Sequence, residues 1–244
     1  MKKGFFSIRR ALIAAFVFVS LGAVFSACKK DSDNNAELPV SGLMAFNLAP
    51  DQAALGIALN GNLLTNSPMS YTNYTGGYRN IFPGERIVQA FDYQRDTTLV
   101  TAAHNFTTQK YYSLFLVGNN GAYKNVIVPD EIDSLPATHA YVRYINAIPD
   151  STTVPTVTIR ANGSDVVNTQ ATFSTVSGFT PVSAGNIEIA VTNGGTISAN
   201  RTLAVENGKI YTLLMVGVPG ATDTAKAVQI KYILNGIISD DSKQ

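Results

Sequence analysis

The chain has 244 residues, 45% hydrophobic and 14% charged, with two histidines, one cysteine and no tryptophan. Four of its 18 basic residues and none of its 17 acidic ones fall in the first 27, which leaves 14 against 17 beyond that point. No Lys/Arg block follows Lys30, which argues against nucleic-acid binding, and a single cysteine cannot staple the fold with an internal disulfide.

Residues 1–27 read as an export signal. Met1-Lys2-Lys3 and Arg9-Arg10 form a basic start, and Ala11 to Val19 an apolar centre. The alternative is a retained anchor, but the apolar stretch from Ala11 to Ala27 has 17 residues, at the short limit for a membrane span. Ser26-Ala27-Cys28 resembles the lipobox of bacterial lipoproteins, with Phe25 where an aliphatic residue is usual. The resemblance implies that Cys28 is lipidated and becomes the new N-terminus. Lys29 at the next position resembles lipoproteins that leave the inner membrane, and Asp31 and Asp33 resemble the acidic surface-export signals of Bacteroidetes. The expected location is therefore the outer membrane, with surface exposure a further expectation and the lipid as the contact with the membrane. Residues 28–38 are polar and read as a flexible tether, reaching at most about 35 Å when extended.

Beyond the tether the sequence repeats itself. Asn47-Leu48-Ala49-Pro50-Asp51 returns as Asn146-Ala147-Ile148-Pro149-Asp150. Tyr112-Ser113-Leu114-Phe115-Leu116-Val117-Gly118 returns as Tyr211-Thr212-Leu213-Leu214-Met215-Val216-Gly217, at the same offset. Between these anchors Tyr78 to Gly84 matches Phe179 to Gly185, and Gly61 matches Gly163. The period, close to 100 residues, is that of a duplicated domain rather than a solenoid unit.

In chain order, the first copy offers strand-like segments at Gly42 to Leu48, Leu55 to Leu59, Arg86 to Tyr93, Leu99 to Phe106, Tyr111 to Val117 and Lys124 to Val128. The second offers Ala140 to Ile148, Val154 to Ala161, Asn186 to Thr192, Ile197 to Val205, Lys209 to Val216 and Ala227 to Leu234. They are rich in β-branched and aromatic residues and separated by turn formers such as Asn60-Gly61, Asn120-Gly121 and Asn162-Gly163. The predicted fold is all-β: two tandem immunoglobulin-like β-sandwich domains after a lipoprotein signal peptide. Their predicted bounds are 39–136 and 137–238, followed by a polar tail, 239–244. The acidic run from Pro129 to Thr138 reads as a solvated linker, and each domain is expected to fold alone when the chain is cut near Leu135.

The doubled Asn-x-x-Pro-Asp, aromatic-x-x-aliphatic-x-x-Gly and Tyr-x-Leu-x-x-Val-Gly elements resemble the family called domain of unknown function 4397, which occurs as tandem copies in lipoproteins of Bacteroidetes. The likeness spans residues 39 to 236. It implies a non-enzymatic β-sandwich of the cell envelope and supplies no catalytic residues.

Little in the sequence points to chemistry. His104 and His139 have no partner motif and read as half-exposed strand residues, and no metal or other cofactor is expected. Asp51 and Asp150 recur at one position and read as turn caps. Asp130, Glu131 and Asp133 offer oxygen ligands without the spacing of a known calcium loop. What one copy has alone is free to be specific. The first copy alone carries Tyr71, Tyr74 and Tyr78 with Arg79; the matching stretch of the second, Ala171 to Phe179, has no tyrosine. Tyrosines suit recognition surfaces, so these four residues are the candidate ligand-binding set, although each ring is also a candidate for packing. The expectation is a lipid-anchored envelope protein with a non-catalytic binding, adhesion or structural role, its partner a glycan or another envelope or surface protein. Carbohydrate binding in support of glycan uptake is the alternative, weakened by the absence of tryptophan; a hydrolase with an unrecognised site comes after it.

Overall fold

The computed structural model describes residues 38–149 and 153–238. The signal, Cys28, Asp150, the polar tail and all of the tether but Leu38 lie outside the described residues.

The first copy contributes β1 (Ser41–Asn47), β2 (Leu55–Leu59), β3 (Asn62–Leu63), β4 (Arg79–Ile81), β5 (Gly84–Asp92), β6 (Thr97–Phe106), β7 (Tyr111–Asn119) and β8 (Ala122–Asp130). The second contributes β9 (Ala140–Asn146), β10 (Thr156–Ala161), β11 (Ser164–Gln170), β12 (Thr180–Val182), β13 (Gly185–Thr192), β14 (Ser198–Val205), β15 (Lys209–Val216) and β16 (Gln229–Ile237). The protein is all-β, and the two sandwiches expected from the sequence are both there. In the first, the sheet β4-β1-β7-β8 faces β3-β2-β5-β6; in the second, β12-β9-β15-β16 faces β11-β10-β13-β14. No strand of one copy enters a sheet of the other. The first strand of each copy runs parallel to the seventh, with Leu43 beside Tyr112 and Val142 beside Tyr211.

The repeated motifs now have physical roles. The Tyr112 hydroxyl accepts a hydrogen bond from the Thr107 amide at 3.0 Å, and that of Tyr211 from the Glu206 amide at 3.3 Å. A tyrosine closing onto backbone five residues upstream is the corner device of immunoglobulin-like sandwiches. Gly118 and Gly217 end the same strands at φ 113° and 116°, where a Cβ would strike the backbone of Ala122 and Ala227. Asn47 and Asn146, both fully buried, pin the crossing loop to the end of the first strand. Asn47 donates to the carbonyls of Gln52 (2.8 Å) and Met69 (2.9 Å), and Asn146 to that of Ala171 (2.8 Å). Each also accepts from the amide two residues on. The Asp of the motif works differently from expectation: the Asp51 carboxylate caps not its own turn but the Asn120 amide at 2.8 Å, tying down the β7–β8 hairpin. Two-residue type I′ geometry explains that hairpin, with Asn120 and Gly121 both at positive φ.

Each copy has its own core. Leu43, Ile57, Val88 and Leu114 lead the first; Val142, Ile159, Ile189 and Leu213 lead the second. A third apolar cluster joins the copies. The opposite faces of β1 and β7 give Met44, Phe46, Phe115 and Val117; those of β9, β15 and β16 give Ile145, Leu214, Val216 and Ile233. Of these strands β1, β7, β9 and β15 are buried on both sides, which is why they lack the inward–outward alternation of the other strands.

One ion pair is sealed in this seam. Arg143 on β9 bonds Asp130 at the end of β8, both about 2% exposed. Arg143 also donates to Ser113 at 2.6 Å and Thr212 at 2.9 Å, while Ser113 and Tyr78 donate to Asp130. The expectation of a solvated linker thus fails at Asp130. It is the last residue of a strand, and its carboxylate is committed to three donors. Thr212 completes the chain by donating to Asn235 at 2.6 Å.

Candidate functional site

Tyr71, Tyr74 and Tyr78 lie on the loop that runs from β3 to β4, and Arg79 opens β4. The loop crosses the end of β1, bridging Leu55 to Met69 and Phe46 to Tyr74. The second copy has the same crossing, with Ile145 bridged to Val176. Thr72 and Ser174 sit at matching turns with φ 65° and 68°, and Thr75 and Ser177 each accept from the amide of a first-strand residue, Ala45 and Tyr144. Scaffold and crossing are shared, and the side chains hung on them are not.

The structure brings two of the four candidates together. Tyr74 and Arg79 line one groove of about 500 Å³, with Thr65, Asn66, Ser67 and Asn73. Tyr74 lays its ring on Phe46, centroids 5.5 Å apart and planes 16° apart, and Phe46 lies on Phe115 in turn. Arg79 is exposed and held by one bond, from Nη2 to the Thr75 carbonyl at 2.8 Å. Its other guanidinium nitrogens make no hydrogen bond among the described residues.

The groove exists because β3 stops after two residues. In the second copy the equivalent strand, β11, continues to Gln170, pairing Val157 with Thr169 and Thr156 with Gln170. In the first, Thr65-Asn66-Ser67-Pro68 occupies that place, and proline cannot donate to a ladder. Thr65, Asn66 and Ser67 are not among the sequence candidates. Pro68 is the signal that would have found them.

The other two candidates turn elsewhere. Tyr71 lines a separate cavity of about 410 Å³ between the copies, with Asp51, Lys226 and Lys231. Its hydroxyl is buried beside the Gly217 backbone without a well-formed hydrogen bond, and burial pushes its pKa up to about 12. Tyr78 packs against the seam and edge-on to Tyr111. Burial raises its pKa first, and the Asp130 charge raises it further.

Among the described residues no group of three or more His, Cys, Asp or Glu side chains is placed to hold a metal. His104 on β6 sits edge-on to Phe106 and Tyr112, its pKa lowered by burial. His139 is exposed, its ring beside the Thr138 hydroxyl. Asp133 pairs with Lys110 at 3.3 Å.

The profile of the family described as Domain of unknown function (DUF4397) matches residues 41–154 and 140–231. The chain belongs to that family. The two matches overlap across β9, the strand that opens the second copy, and agree with the tandem repeat. No curated protein matches the sequence. Among solved structures, the chain is similar to family 41 carbohydrate-binding modules from streptococcal virulence factors, studied for alpha-glucan recognition. Identity is 10%, over 78% of this chain and 96% of the other, with a TM-score of 0.25. It is also similar to a protein of Bacteroides eggerthii named for a proposed role in cell adhesion, at 11% identity over 82% and 96%, again with a TM-score of 0.25. Superpositions this loose carry no argument about function.

Proposed function

We propose that the protein is held at the cell envelope by a lipid on Cys28 and that its first copy is a non-catalytic binding module. The ligand site in this reading is the groove beside Tyr74 and Arg79. The observation that supports it is the composition of that groove: beside Leu64, Pro68 and Met69 it presents hydroxyls, amides, one aromatic ring and one guanidinium, with no carboxylate, imidazole or thiol among its described lining residues. Such a lining recognises a polyhydroxylated ligand by hydrogen bonds and ring contact. Arg79 adds a forked pair of donors for an acidic or hydroxyl group. It offers no acid and base at reaction distance. A glycan is the ligand class we favour, bound in support of uptake or adhesion at the outer membrane; another envelope or surface protein is the alternative. Tyr71 belongs to the neighbouring cavity in this reading, and Tyr78 holds the loop to Asp130.

The test is calorimetric titration of the full-length acylated protein with neutral and acidic oligosaccharides. Exchange of Arg79 for threonine, the second copy's residue at this place (Thr180), should weaken binding by at least about 1 kcal/mol and leave the melting temperature unchanged. Saturable binding that Arg79→Thr does not alter would move the site elsewhere, and turnover of the glycan would replace binding with hydrolysis. Anchoring is tested separately: Cys28→Ser should abolish labelling by a palmitate analogue and release the protein from the membrane, and persistent labelling would end that reading.

A further inference from the structure

The first copy carries a second surface that differs from its counterpart. Leu63, Phe82 and Ile87 are 49%, 61% and 47% exposed, and Leu63 and Phe82 line a shallow pocket of about 320 Å³ with Leu59, Leu64 and Ile81. Asn60, between them, exchanges hydrogen bonds with Ile87: its amide donates to the Ile87 carbonyl, and its side chain accepts from the Ile87 amide at 2.7 Å. Arg86 braces the turn that carries Phe82: its guanidinium donates to the carbonyls of Phe82 at 3.1 Å and Pro83 at 2.8 Å. At the matching positions of the second copy stand Asp165, Ser183 and Glu188, all exposed. The same fold therefore does without these apolar residues, and packing does not explain them. Single exposed apolar side chains are ordinary; a cluster present in one of two duplicated domains asks for an occupant.

Where the chain enters the domain says what that occupant is. β1 begins at Ser41, directly opposite Ile81, the neighbour of Phe82. The polypeptide that leads back to Cys28 thus joins the sandwich beside the Phe82 face, and only 12 residues, 29–40, separate Cys28 from Ser41.

We propose that the face formed by Leu63, Phe82 and Ile87 rests on the lipid surface that holds the N-terminal anchor. This rests on the reading of Cys28 as lipidated. Acyl chains fix the protein to the bilayer, and the apolar face turns a loose tether into a defined orientation by seating rings and aliphatic groups at the headgroup–acyl boundary. Glu85 and Arg86 on the same stretch offset each other in charge, so the attraction is apolar and should persist in zwitterionic lipid. With the first copy's lower face on the membrane, the polar Asp165, Ser183 and Glu188 of the second need no such cover.

The absence of tryptophan gives a clean reporter. Full-length acylated protein with Phe82→Trp is reconstituted into phosphatidylcholine–phosphatidylethanolamine vesicles with and without brominated acyl chains, and Ser183→Trp serves as the reference. The expected result for Phe82→Trp is blue-shifted indole emission, quenched about twofold by the brominated lipid, as for a ring at the acyl boundary. The reference variant should emit as if in water, unquenched. A Phe82→Trp protein that floats with the vesicles but shows water-like, unquenched emission overturns this proposal alone. Blue-shifted emission that bromine does not quench overturns it too, and points to a second copy of the chain as the cover. A wild-type protein that fails to float overturns the anchoring reading, and this one with it.

Discussion

The first copy is open where the second is closed. β3 runs for two residues and leaves a polar groove, whereas β11 runs for seven and covers the equivalent place. The seam shows the same divergence. Arg143 matches Met44 in the repeat, Thr212 matches Ser113, and Asn235 stands on β16 where Asp130 stands on β8, two residues beyond the partner of Thr212 or Ser113. The copies meet through one and the same sheet, so an ion pair could have arisen on either side. Only Arg143–Asp130 is present, and its counterpart is the Met44–Asn235 combination. Duplication supplies two identical frames, and substitution at strand ends and faces then makes them unequal without disturbing either core.

The largest effect is expected from forcing the seam toward symmetry. Arg143→Met leaves Asp130 buried without its charge partner and should cost about 3–5 kcal/mol in urea denaturation. Adding Asp130→Asn, which copies Met44 and Asn235, should recover most of that loss. Failure of the second change to rescue would mean that the guanidinium is needed for its bonds to Ser113 and Thr212 rather than for charge balance.

Next in size is the repeated asparagine. Asn47→Ala and Asn146→Ala should each cost about 1–3 kcal/mol for every buried carbonyl left unpaired. Asn47 serves the carbonyls of Gln52 and Met69, and Asn146 that of Ala171, so both changes should lower the melting temperature. Melting temperatures unchanged by either substitution would show that the crossing loop is held by its backbone bonds alone.

Cutting the chain near Leu135 probes the copies as separate bodies. Each keeps its own core, so both halves are expected to fold, at lower melting temperatures because the cut bares Met44, Phe46, Phe115, Leu214 and Val216. A half that shows no cooperative unfolding by itself would make the seam part of the folding unit.

The smallest effect is at alkaline pH. The Tyr71 phenol keeps its proton in the folded protein up to about pH 12, while in the unfolded chain it releases it near its ordinary value of 10.0. The stability tied to that proton is complete below about pH 10 and drains away as the pH rises toward 12. Tyr71→Phe should flatten this part of the melting-temperature profile and, because the hydroxyl has no good partner, change stability little at neutral pH. An unchanged alkaline slope would assign the loss to Tyr78 or to other groups.

All twelve segments that read as strands in the sequence are strands, with shifts of a few residues at their ends. The four without such a signal, β3, β4, β11 and β12, are four of the eight outer strands, one in each sheet; the opposite edges, β6, β8, β14 and β16, are longer, carry buried or half-buried apolar residues and are legible. An outer strand is paired on one side only, and these four are largely exposed: Asn62–Leu63 shows no buried residue, and neither does Ser164–Gln170. With little to bury they carry no apolar run, and pattern reading depends on such runs. The candidate site is legible to the same extent. Tyr74 and Arg79 stand out because the copies differ there, but that all three tyrosines pack against the seam cluster while only Tyr74 also borders the groove with Arg79 depends on which face of the crossing loop meets the second copy.

The sequence by itself determined the duplication, the all-β class, twelve of the sixteen strands and their turns. Those follow from local preferences and from a period of side chains that one strand must satisfy alone: β-branched runs bounded by Asn-Gly pairs that tolerate positive φ. Tertiary structure decided that two sandwiches share a buried face, that Asp130 ends a strand in an ion pair rather than a solvated linker, and that Leu63 and Phe82 line one pocket near where the chain enters. Each of these joins residues distant in the chain, and whether a charge is solvated or an apolar side chain covered depends on what the fold places against it.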